Sequence, residues 1–439
     1  MTSGHSGGKA KLRVLAVLEG VGPSAVLTVI KPLSALHCMG AIRADITLTS
    51  LCSAAQFEKA DVVVFSRNTD LSTLNRCIQL NKPFIYNIDD NPFAATDYVR
   101  WDLSAQLLRQ FEHYLQSAHL VRIYSEPMRE RALRLNNHVV RVDGPVDWSV
   151  MPATRPRHDP ERVRIVYATG RYAGDPFLRI IADDLRDIVD AYGNRISLCF
   201  FGHHPPEFRN VPQARFLDYI PNYDKFFRKF AGAGFDIGLA PLYNDEFCRS
   251  KTNNKFREYG ACRIAGVYSD MDVYAECVED GRTGLLVPNE RGKWASAIGR
   301  LIEEPELRHS IQEQAFAYTR TRYSMENMQE GWLHHIEEVV QRAKAPGYGS
   351  VARPVLNPAA TREKIASDLP EIPPGGGGSR AKLGKRLVQV RQSVAEAGVV
   401  ATLQRIYWSL YRYVVVARTR FQLSALKCMK TRRASGRRG

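Results

Sequence analysis

Short runs of β-branched and aromatic residues, each closed by a turn and followed by a stretch of helical pattern, recur along this chain in two series. The first comprises LRVLAVL, the helix-like AVLTVIKPLSALHCMG, then DVVVFS, PFIYNI, LVRIYS and VVRVDG. The second comprises VRIVYATG, ISLCFFG, ARFLDYI, DIGLAPL, AGVYS and TGLLVPN. Strands alternating with helices call for a parallel sheet covered on both faces. Between the series stands WSVMPATRPRHDPER, with three prolines and mixed charge, which reads as an interdomain linker. At 439 residues the chain exceeds what one hydrophobic core serves. The expected fold class is therefore α/β, with two doubly wound, Rossmann-like domains facing a cleft. Their expected spans are residues 1–150 and 161–345, the second ending in the helical run KWASAIGRLIEEPELRHSIQEQAFAYTRTRY and the helix around GWLHHIEEVVQRA.

Charge separates the end of the chain from its body. Residues 380–439 carry fifteen Lys or Arg against a single acid, Glu396, and so hold nearly all of the net charge of +15. Residues 346–379 are Pro- and Gly-rich and end in PPGGGGS, a flexible spacer by composition. Beyond it, Leu403, Ile406, Tyr407, Leu410, Tyr411 and Val414 mark one apolar face of a helix, with Arg405 and Arg412 on another. A basic helix bearing Tyr407 and Trp408 suits an anionic membrane surface. Nucleic-acid binding and a solubilising tail are the competing readings. The eight cysteines show no C-x-x-C pair and read as reduced thiols of a cytoplasmic protein. The N-terminal apolar run is interrupted by Glu19 and reads as a first strand, not a signal peptide.

Two doubly wound domains make a cleft at the carboxyl ends of their strands, where such folds bind ligands. The densest polar, Gly-associated segment lies between Pro241 and Pro288. Lys255, Phe256, Glu258, Tyr259 and Ala261, then Val267 and Ser269, then Glu276, Asp280, Gly281, Thr283, Gly284 and the run 285–287 stand in one continuous order. That order resembles the family-4-like GT-B glycosyltransferases (glycosyl transferases group 1), with their K-F-x-E-Y/A-x-A-x-G-x-P-V-V-x-S and E-x-V-x-D-G-x-T-G-L-L-V segments. VDGPVD (residues 142–147) and the strand IVYATGR resemble the family more weakly. The resemblance implies a GT-B fold, with the basic helical tail outside it. It also implies a transferase that takes its sugar from a nucleotide-sugar donor with retention of configuration; with the basic tail, it leads to the expectation of a hexosyltransferase acting on a glycan or lipid-linked acceptor.

Physical roles follow for those positions. A departing nucleoside diphosphate needs nearby cations and backbone amides, a task that suits Arg171, directly after Gly170, and Lys255. Glu258 lies on the same helical face as Lys255 and can accept hydrogen bonds from ribose hydroxyls, as the matching family glutamate does. Ser269 ends a strand where backbone groups could meet the base. The chain also departs from the family: Ser250 stands where the first glutamate of E-x7-E belongs, Asp175 follows GRYAG in place of a lysine, and Arg263 and Ala265 replace Gly and Pro. Lys251 is a candidate to restore a lost cation.

In the first lobe, Gly20 and Gly22 form a loop after the first strand, similar to the family's Gly-rich loop. Arg67, Asp89 and Asp90 end later strands and could serve the acceptor. No metal or other cofactor is expected. The expected partners are a nucleotide-sugar donor, a glycan or lipid-linked acceptor and, through residues 380–439, an anionic membrane surface at the inner face; nucleic acid is not expected. Polysaccharide or glycolipid synthesis is the expected setting. A nucleotide-sugar epimerase and a non-catalytic nucleotide- or glycan-binding module remain as alternatives on the same fold.

Overall fold

The computed structural model describes residues 10–94, 96, 104–152, 162–171 and 175–345. Their strands form two six-stranded sheets. The first contains β1 (Arg13–Leu18), β2 (Arg43–Leu48), β3 (Val62–Ser66), β4 (Phe84–Asn87), β5 (Leu120–Ile123) and β6 (Val139–Arg141), in the order β2-β1-β3-β4-β5-β6. The second contains β7 (Val163–Ala168), β8 (Ile196–Phe201), β9 (Ala214–Leu217), β10 (Ile237–Ala240), β11 (Ala265–Ser269) and β12 (Leu285–Val287), in the order β12-β11-β10-β7-β8-β9. Every pairing is parallel. The GT-B architecture read from the sequence is the one observed.

Burial on both faces explains the unbroken apolar runs. In β1, Val14, Ala16 and Leu18 enter one core while Leu15 and Val17 enter the core on the opposite face. Ile165 and Tyr167 of β7 likewise face away from Val166 and Ala168. The strand β2 escapes a search for such runs because RADITL alternates: Arg43 and Asp45 are exposed at the sheet edge while Ala44 and Ile46 are buried.

In both sheets the strand order reverses beside the first strand of the lobe, between β1 and β3 and between β7 and β10. The loops leaving those four strands therefore open into the crevice where doubly wound sheets bind ligands. This places Gly20 and Gly22 after β1, Arg67 after β3, and Gly170 and Arg171 after β7.

The last described helix, Met325–Lys344, crosses back. It follows the second lobe in sequence, and the expected boundary at 345 assigns it there, but Met328, Trp332, Ile336, Val339 and Val340 pack into the first-lobe core with Val29 and Leu33. Part of the reason lies in the opposing helix. Pro32 has no N–H, so the carbonyl of Thr28, four residues earlier, loses its α-helical donor, and a π-helical segment, Val26–Ile30, precedes it. The Trp332 indole N–H donates to that carbonyl at 2.6 Å. Among the described residues no helix is long and apolar enough to cross a membrane. The spacer at 346–379 and the basic tail at 380–439 lie outside the described residues, as does most of the linker stretch, 153–161.

Candidate active site between the lobes

The helix Asn254–Ala261 carries the centre of the site. Its residues from Phe256 to Ala261 are all buried, so the helix is embedded in the second lobe, and its first turn reaches the cleft. Lys255 Nζ donates to Glu258 Oε2 at 2.8 Å, as their spacing of three allows. Both line a cavity of about 150 Å³ whose walls come from both lobes: Ser24, Thr28, Asp89 and Tyr124 from the first, Thr169, Gly170, Gly202 and Tyr219 from the second. A second cavity, of about 750 Å³, shares Pro23 and Tyr223 with it and also includes Gly22 and Lys31. Together they give the cleft the volume of a ligand site.

The glycine loop after β1 is open. Neither Gly20 nor Gly22 has a left-handed backbone, and no heavy atom lies within 4 Å of where a Cβ of Gly22 would be. Gly202 is different: with φ +94° and a Cβ position 2.1 Å from the Thr169 carbonyl oxygen, only glycine fits this wall of the cavity.

A charged cluster adjoins this cavity. Arg67, itself at φ +58°, pairs with Asp89 through Nε and with Asp90 through Nη2. Burial opposes the charge of Asp89, but the Arg67 guanidinium and the Ser24 hydroxyl hold its carboxyl below the usual carboxylate range. Lys251 stands within electrostatic reach of Asp90, Arg171 and Arg67, with its ammonium 4.0 Å from the Phe247 ring. Burial depresses its pKa; Asp90 opposes this, and the two arginines add to it. Arg171 itself stacks its guanidinium 4.6 Å over Phe177, outside the cavity wall that Gly170 lines.

Ser269 ends β11, but its side chain does not line the cavity. It is 1% exposed, its hydroxyl bonds to the Leu242 backbone and to Asn289, and it locks the loop after β10 instead of lining the cavity. Local pattern places a residue at a strand end but not the direction of its side chain. Arg257 is not found by the sequence pattern: it is 5% exposed and lines the cavity, but in the segment KFREY it is one of three charged residues and nothing local sets it apart.

The position of the missing family glutamate is closed. The Ser250 hydroxyl donates to the Glu246 carbonyl at 2.8 Å and accepts from first-lobe Asn91 at 3.0 Å, while the Ser250 carbonyl accepts from Ser125 at 2.9 Å. Ser250 thus serves as a contact between the lobes. Ser250→Glu, although nominally restorative, is expected to destabilise the protein by at least about 2 kcal/mol, because it overpacks a closed site and buries a charge beside Glu246. A thermal melt with no loss, or a gain in donor turnover, would count against this geometry. Arg263 replaces the family's glycine at φ +53°, where its guanidinium stacks on Phe316 and pairs with Glu313.

Residues 164–304, which include Gly170, Arg171, Lys255 and Glu258, match the family model described as glycosyl transferases group 1. The chain is a GT-B protein with a group 1 glycosyltransferase domain. None of the curated proteins matches this chain in sequence. Solved structures match its fold. The HepE protein of Anabaena, in complex with UDP and glucose, is 13% identical, with a TM-score of 0.57, covering 75% of this chain and 100% of that one. Sucrose-phosphate synthase from Thermosynechococcus elongatus gives the same identity, TM-score and coverage. A glycosyltransferase from Rickettsia africae is 14% identical, with a TM-score of 0.55, covering 75% of this chain and 99% of that one.

Proposed function

We propose that this glycosyltransferase transfers a hexose from a UDP-sugar to a glycan or lipid-linked acceptor, with retention of configuration and without a metal ion. The observation that carries the reading is the Lys255–Glu258 pair, set in an interlobe cavity beside the Gly170 loop at the switch point of the second sheet. Charge supports it. Arg67, Arg171, Lys251 and Lys255 stand beside the smaller cavity against Asp89, Asp90 and Glu258, a supply of cations that suits a diphosphate. UDP is the nucleotide of choice because a structural neighbour binds it.

In this reading Lys255 and Arg171 stabilise the leaving diphosphate and Glu258 accepts from the ribose. Gly170, Lys251, Gly20 and Gly22 meet the donor, and Ser269 acts only by shaping the adjoining loop. Arg67, Asp89 and Asp90 face the acceptor. The bond from the sugar C1 to the leaving phosphate oxygen breaks, a new bond forms from C1 to the acceptor oxygen, and the leaving oxygen takes the acceptor proton. Positioning and electrostatics then supply most of the rate. A lipid-linked acceptor would give the basic tail at 380–439 its purpose at the inner face of an anionic membrane, in surface polysaccharide or glycolipid synthesis.

The test is a panel of UDP-, GDP- and dTDP-sugars, with and without lipid-linked acceptors, scored by released nucleoside diphosphate. Release from UDP-sugars supports the reading. No release and no thermal shift with any donor would sink it, and binding without release would identify a non-catalytic module. Flotation with anionic liposomes, before and after truncation at Pro373, tests the tail.

Lys251 makes UDP affinity depend on pH. A bound diphosphate raises a lysine pKa that burial has lowered from 10.5, so binding takes up a proton and affinity falls as pH rises through that lowered value. Calorimetric titration across alkaline pH should show this fall, and Lys251→Arg should shift it upward; a flat profile removes Lys251 from the phosphate site.

A further inference from the structure

The segment 142–147 joins the lobes, and its hold on the second lobe runs through Arg257. That guanidinium forms no ion pair among the described residues. Its Nε donates to Asn253 at 2.9 Å, its Nη1 to the Pro145 carbonyl at 2.8 Å and its Nη2 to Asn254. Gly144 makes room for it: a Cβ there would lie 2.5 Å from Nη2 and 2.7 Å from the guanidinium carbon. Since Gly144 has no positive φ, what the glycine provides is space: a Cβ there would displace the guanidinium. The Val146 amide donates to the Tyr323 carbonyl at 2.9 Å, completing the grip. Pro145 and Val146, so held, form a wall of the same cavity as Lys255 and Glu258.

We propose that Arg257 is a positioning residue that latches the interlobe segment onto the donor helix, and that nucleoside-diphosphate binding tightens this latch. The inference rests on the reading of the cavity as a donor site. A buried cation held only by neutral acceptors is a costly clamp. A diphosphate arriving in the same cavity supplies the countercharge, so donor occupancy and linker position reinforce one another. A positively charged side chain is needed for the coupling, and the fork of three donors for the grip.

The experiment compares the full chain with Arg257→Lys, Arg257→Gln and Gly144→Ala, the last of which keeps the arginine but displaces it. Hydrogen exchange at segment 142–150, with and without UDP, reads the latch. In the parent protein UDP should slow this exchange, and in each folded variant the segment should exchange roughly tenfold faster. UDP affinity and donor KM should weaken by about five- to twentyfold, with kcat at saturating donor within about threefold. Three variants guard against one that does not fold. Unchanged exchange in folded variants would overturn the latch, and faster exchange with unaltered UDP affinity would overturn its coupling to the donor. A parent protein that neither binds UDP nor releases it from any donor sinks the donor-site reading and the coupling with it. The exchange comparison of Arg257→Lys with the parent still judges the latch by itself.

Discussion

Lys255→Ala should lower donor turnover by on the order of a hundredfold or more, the loss seen when one contact to developing charge is removed from a water-excluded site. Two effects combine. The substitution removes a cation from the cavity wall, and it leaves Glu258, only 8% exposed and paired with Lys255 at 2.8 Å, as an unneutralised carboxylate where a diphosphate must bind. Glu258 then repels the ligand that Lys255 attracted. Lys255→Arg keeps the charge and should recover part of the rate. Initial rates of UDP release, with a thermal melt to establish folding, decide the matter. A folded Lys255→Ala protein at full rate would reduce the pair to an ordinary helical ion pair worth a few tenths of a kcal/mol.

The largest effect on stability is expected from Trp332→Ala. The side chain is 0% exposed, its indole N–H holds the Thr28 carbonyl at 2.6 Å, and the Arg122 guanidinium lies 3.9 Å over its ring. Truncation opens a cavity and strands that carbonyl, which together should cost about 3–5 kcal/mol. Arg122 is itself 1% exposed, so it loses its ring neighbour without gaining solvent. Trp332→Phe retains most of the packing but not the hydrogen bond and should cost only about 1–2 kcal/mol. Urea titrations of the two variants test the ordering; a Trp332→Phe protein as stable as the parent would show that the bond to Thr28 contributes nothing, and equal costs for the two variants would show that the packing of the ring contributes nothing. Function should follow stability, because Thr28 lines the same small cavity as Lys255. The crossing helix thereby supports the cleft from behind.

The sequence by itself determined the two parallel-sheet lobes, because strands covered on both faces must be apolar in continuous runs such as VVVFS and IGLA. It also paired Lys255 with Glu258, since residues three apart on a helix are neighbours whatever surrounds them. Where those conditions fail, the reading fails. RADITL shows no continuous apolar run because an edge strand buries only one face through most of its length. Ser269 was placed by its strand but not by its partners, Leu242 and Asn289, which come from other loops. The helix Met325–Lys344 shows an apolar stripe, but a stripe does not name the core it enters; the Thr28 carbonyl freed by Pro32, some three hundred residues earlier, helps to place it. The close approach of Arg257 to Gly144, the burial of Ser250 beneath Asn91 and the grouping of Arg67 with Asp89 and Asp90 belong to tertiary structure as well. The physical reason is common to all of them: local pattern specifies backbone conformation and near neighbours, whereas contacts between distant segments exist only once both lobes have formed.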